Sequence, residues 1–136
     1  MKNTKYPGVY AIAISTKNIA GTPFNYRKEV VYFGMTNSKS GLRGRLNAFN
    51  NTLRGKSGSG HVGAERFRYD YDDGDALAKK LYVAICPFKC DVSSIARKDL
   101  ESMGAVVRAE YLAFADYAER YGALPKYNDK RNSPKG

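Results

Sequence analysis

The sequence predicts an α+β fold, a small three-stranded antiparallel sheet flanked by helices. Three observations carry that expectation. Two short apolar runs, PGVYAIAIS from Pro7 and VVYFGMT from Val30, have strand character and are separated by a turn-rich stretch. A third run of the same kind, AKKLYVAICPF, begins at Ala78. The segments between and after these runs repeat their apolar residues at helical spacing. A chain of 136 residues suits one domain. We assign residues 1–130 to that domain and 131–136 to a basic tail.

In chain order, residues 8–15 alternate, with Tyr10, Ile12 and Ile14 on one face and Val9, Ala11 and Ala13 on the other. Residues 16–29 hold Asn18, Gly21, Pro23 and Asn25 and read as a long turn. Residues 30–36 form the second strand. Antiparallel pairing about Gly21 sets Tyr10 opposite Tyr32 and Ile12 opposite Val30, so both phenols share a face. Ser38 or Ser40 then caps a helix over roughly residues 41–53, whose Leu42, Leu46, Phe49 and Leu53 face the core and whose Arg45 borders that stripe. A glycine-rich loop follows, then a short helix or turn near 63–69 and a turn at DDGD. The last element is a helix from Asp99 to Gly122 with Val107, Tyr111, Phe114, Ala118 and Tyr121 as its apolar stripe. Gly122 stops it and Pro125 follows.

The charge balance is lopsided: 23 basic residues against 13 acidic give a net +10. That favours a polyanionic partner, most simply nucleic acid. Lys39, Arg43, Arg45, Arg54, Lys56, Arg66 and Arg68 crowd into one stretch with only Glu65 against them. Tyr69 and Tyr71 nearby are suited to stacking on bases or to ordinary packing. No apolar run reaches membrane-spanning length, and MKNTKYPG has no signal-peptide core, which points to a cytoplasmic address. Cys86 and Cys90, in CPFKC, lack the further ligands a zinc site needs, because the chain has a single histidine, His61.

Glu110 lies three residues after Val107 and four before Phe114, on the apolar stripe of the last helix, whereas Asp116 and Glu119 fall outside it. A carboxylate in that position needs a cation, a hydrogen-bond donor or a metal. A salt bridge to an arginine of the first helix is one answer, and a metal is another.

Gly8-Val9-Tyr10 and Tyr32-Phe33-Gly34, Arg45 before Leu46 in GLRGRLNAF, Glu110 on a late helix and Asn128 in LPKYN follow one another in an order that resembles the GIY-YIG nucleases. The resemblance spans roughly residues 6–129. Phe33 stands where the second motif has isoleucine. Met35 stands in a slot that is lysine in some members, and Phe49 in one that is histidine or tyrosine in others. His61, Lys39 and Lys56 are substitutes for those helpers.

The resemblance implies hydrolysis of DNA phosphodiesters, leaving a 5′ phosphate, with one Mg²⁺ or Mn²⁺ held by Glu110 and otherwise by water. By the same resemblance Arg45 grips the scissile phosphate. Tyr10 accepts a proton from water, and Tyr32 positions the water or the phosphate. Asn128 either holds the chain end near the site or is a turn residue. His61 either contacts phosphate or shuttles a proton, or is a plain loop residue. Lys39, Arg43, Arg54, Lys56, Arg66 and Arg68 supply backbone contacts to the nucleic acid. The chain has no separate DNA-reading motif, so specificity falls to its loops, a homodimer or a protein partner. The alternative function is a nucleic-acid-binding module of the same fold with weak or no cleavage.

Overall fold

A computed structural model describes residues 2–25, 28–55, 62–70 and 74–128 of the chain, with the side chains of 62, 68–70, 74 and 75 excepted. The fold is α+β, as the sequence predicts. Strands β1 (Gly8–Ile14), β2 (Val30–Thr36) and β3 (Leu81–Pro87) form an antiparallel sheet in the order β2-β1-β3. Helices α1 (Gly41–Leu53), α2 (Val62–Asp70) and α3 (Gly74–Ala78) lie between β2 and β3, and α4 (Arg97–Tyr121) follows β3. Helix α3 begins within the segment expected to be a turn at DDGD; residues 72 and 73 of that segment lie outside the described residues. No helix among the described residues is long and apolar enough to cross a membrane.

Period-two alternation divides β1 between two cores. Tyr10 and Ile12 pack with Leu42, Phe49 and Leu53 of α1, Ala64 and Phe67 of α2, Leu77 of α3 and Tyr127. Ala11 and Ala13 face the other way and pack with Val30 and Phe33 of β2 and Ala113 and Tyr117 of α4. Phe67 is the hub of the first core: its ring stacks on Tyr127 at 4.1 Å and meets Phe49 edge-on at 5.1 Å.

The register of the hairpin differs from the expected one. Tyr10 pairs with Gly34 and Ile12 with Tyr32, two residues along from the sequence expectation. An irregularity between Ile12 and Ala13 takes up one residue of that slip, so that Ala13 pairs with Val30. The two-residue slip keeps Tyr10, Ile12 and Tyr32 on one face, but the irregularity turns Val30, expected beside Ile12, to the face of Ala11 and Ala13.

The start of α1 also corrects an expectation. Ser40 occupies the cap position but makes no capping hydrogen bond from its side chain. The N-terminal segment does that work instead: Leu42 N–H donates to Tyr6 O at 2.9 Å and Arg43 N–H to Thr4 O at 2.7 Å. Helix α4 ends as expected on Gly122, in the left-handed conformation at φ 76°. Its buried face, however, is rotated. Val106, Ala113 and Tyr117 are buried, while Val107 and Tyr111 of the expected stripe are exposed. At about 100° per residue the true face lies roughly a quarter-turn away. Glu110 sits one turn after Val106 and remains at the margin of the buried face, half-covered.

Candidate active site

Tyr10 and Tyr32 are diagonal neighbours on the α1–α3 face, their ring centroids 6.2 Å apart and their planes tilted by 42°. Each ring rests on a glycine. A Cβ on Gly34, directly across from Tyr10, would come within 2.3 Å of the Tyr10 Cζ. A Cβ on Gly63, at the start of α2, would come within 2.6 Å of the Tyr32 Cζ. Any larger residue at either place pushes a phenol out of line. Phe67, one turn after Gly63, closes on the Tyr32 ring edge-on at 6.2 Å.

The hydroxyls are linked to one another and to α1. The Arg45 guanidinium donates to the Tyr10 hydroxyl oxygen. Tyr10 and Tyr32 are hydrogen-bond partners. Glu110 reaches the same cluster from α4, close enough for its charge to act on both phenols. Four side chains from β1, β2, α1 and α4 thus form one electrostatically coupled group. Arg45 also lines a groove of about 470 Å³ with Asn37, Ser38 and Ser40.

Burial dominates the proton affinities. It pushes Tyr10, only 1 % exposed, far above the usual phenol range. The neighbouring Tyr32 adds to that rise, and Arg45 opposes it by charge and by its hydrogen bond. Tyr32 is raised too, mainly by burial; Arg45 offsets this most, Glu110 adds to the rise, and Arg66 and the Tyr10 hydrogen bond lower it. Burial alone raises Glu110.

The expected alternative for Glu110, a salt bridge to an arginine of α1, is not formed among the described residues. A half-buried carboxylate without a cation is an electrostatically open position. No three His, Cys, Asp or Glu side chains cluster among the described residues. The donor set is therefore a single carboxylate, which fits a magnesium-like ion holding mostly water and does not fit structural zinc. Cys86 and Cys90 are free thiols.

Asn128 fits both of its readings: it lies in a turn, its N–H donating to Pro125 O at 3.0 Å, and its side chain ties the chain end to β2. Its Oδ1 accepts from Phe33 N–H and its Nδ2 donates to Phe33 O, both at 2.8 Å. Tyr127 N–H donates to Val31 O at 2.9 Å. The chain end is thereby laid along β2, beside Tyr32, and Asn128 holds structure next to the phenols rather than facing them.

Among the described residues the basic side chains do not form one open strip. Arg43 donates through Nε to Thr4 Oγ1 at 3.2 Å and pins the N-terminal segment. Arg54 lies at the exposed end of α1, bonded to Asn50 Oδ1 at 2.9 Å. Lys39 is exposed in the turn before α1. Arg66 is half-buried, with Nη1 donating to Tyr127 O at 2.9 Å. His61 and Lys56, and the side chain of Arg68, lie outside the described residues. Two features that sequence reading missed are Gly63 and the inward aim of Arg66. Their three-residue spacing puts them on one helix face, but nothing local says which strand that face meets. Comparisons of the chain with protein-family models, with curated proteins and with solved structures gave no match.

Proposed function

We propose that the protein is a metal-dependent endonuclease of GIY-YIG type that hydrolyses DNA phosphodiesters. The observation that carries this reading is the meeting of Tyr10, Tyr32, Arg45 and Glu110, from four separate elements, in one coupled cluster. Arg45 binds the scissile phosphate as a planar, permanently charged donor. Glu110 would hold the Mg²⁺ or Mn²⁺, whose contribution is charge stabilisation at the departing 3′ oxygen. Water attacks phosphorus, the bond to the 3′ oxygen breaks, and the products are a 3′ hydroxyl and a 5′ phosphate.

Tyr32 is better placed than Tyr10 to take the proton from water. It is less buried, and its hydrogen bond with Tyr10 lowers its proton affinity. The 1 % exposure of Tyr10 suits it to positioning instead. That same burial favours a second reading, a DNA-binding module with feeble cleavage, because burial holds both phenols protonated.

Supercoiled plasmid and branched DNA, incubated with Mg²⁺, Mn²⁺ or EDTA, separate the two readings. The nuclease nicks DNA with either metal, not with EDTA, and loses at least about a thousandfold in rate as Glu110→Gln. Salt-sensitive binding with no metal-dependent nicking by either protein leaves only the module.

A further inference from the structure

Arg66 follows Gly63 by three residues on the α2 face that wraps Tyr32. Its Nη1 is committed to the Tyr127 carbonyl, yet its Nε is buried without a hydrogen-bond partner. A tether to one carbonyl does not require a guanidinium, and a buried unmet donor weakens the fold. Its charge falls on Tyr32, as does that of Arg45. The two arginines therefore act on the same pair of phenols from different helices, Arg45 on both and Arg66 on Tyr32. Two fixed planar cations acting on one phenol pair match an anion with several oxygens better than a single charge does.

We propose that Arg66 is a second phosphate-binding residue: with Arg45 it makes a two-guanidinium cradle that seats one phosphate against the Tyr32 hydroxyl, and the Tyr127 carbonyl sets its aim. The substrate named here rests on the nuclease reading; the cradle itself does not.

The test uses the full chain without metal, titrated with inorganic phosphate and followed by the amide signals of Gly34 and Gly63. Wild type is compared with Arg66→Lys and with two neutral variants, Arg66→Gln and Arg66→Met, so that misfolding of one leaves the other. Melting temperature and plasmid cleavage are measured alongside. The neutral variants bind phosphate roughly tenfold more weakly. Arg66→Lys recovers affinity to within about threefold, although its melting temperature falls with theirs because the carbonyl tether is lost in all three. Equal phosphate affinity in wild type and the neutral variants overturns the proposal, and so does a lysine variant no better than they are. Affinity that follows the charge at position 66, in a protein that cuts no DNA, upholds the cradle and sinks the nuclease. Cleavage by wild type with the same phosphate affinity in every variant does the reverse.

Discussion

On one side of the sheet Tyr10 and Ile12 meet Leu42, Phe49, Leu53 and Phe67, each 4 % exposed or less, beneath three helices. On the other side Ala11, Ala13 and Ala84 face a single helix and line hollows of about 380 and 330 Å³. The first side fixes aromatic rings and leaves their hydroxyls at its margin; the second contributes a lone carboxylate from α4. Precision at the phenols and slack behind them belong to the same small sheet. The lesson is that tight packing is concentrated where hydroxyl positions matter, and α4 needs only enough contact to bring Glu110 to the edge.

The sharpest way to break this contrast is Gly34→Ala. The new methyl displaces the Tyr10 ring, which has no room to yield, so cleavage falls by about a hundredfold or more while the fold survives at a cost of about 1–3 kcal/mol. Normal cleavage by that variant means the phenol position is not critical. Next comes Asn128→Ala, which frees both main-chain groups of Phe33; a loss of about 1–3 kcal/mol is expected in denaturant unfolding. The same substitution on both sides makes a direct comparison. Ala64→Val, in a site with 0 % exposure, costs about 1–3 kcal/mol, whereas Ala84→Val grows into the hollow and changes stability by less than about 0.5 kcal/mol or improves it. Equal costs erase the difference between the faces.

The smallest effect concerns acid. Burial raises Glu110 above its unfolded value, so its contribution to stability is complete below the ordinary glutamate range and is lost as pH climbs through the raised value. At neutral pH the ionised carboxylate works against folding. Glu110→Gln should therefore melt about 1–2 °C higher than wild type at neutral pH and no higher in acid. Added Mg²⁺ raises the melting temperature of wild type and not of the variant.

Much of this was legible before any coordinates. The limits of α1 follow from Leu42, Phe49 and Leu53 at helical spacing, and β2 from its apolar run. The hairpin register was not, because the irregularity after Ile12 depends on how the long turn closes. The face of α4 was misjudged because Val107 and Tyr111 are apolar yet exposed, and periodicity cannot tell an exposed stripe from a buried one. Arg43 and Arg66 were read as surface cations, and both turn inward to main-chain or hydroxyl oxygens far along the chain. The separate members of the candidate site were visible by type; their meeting depends on long-range packing, which no local pattern encodes.

The bonds from Tyr127 and Asn128 to Val31 and Phe33 occupy the outer side of β2, which has no other strand beyond it among the described residues. A chain shortened to Gly122 would bare a row of unmet amides and carbonyls, an invitation to strand recruitment between molecules. Such a truncation is expected to self-assemble by sheet extension before it loses its helices, so the four residues after Leu124 guard solubility as well as shape.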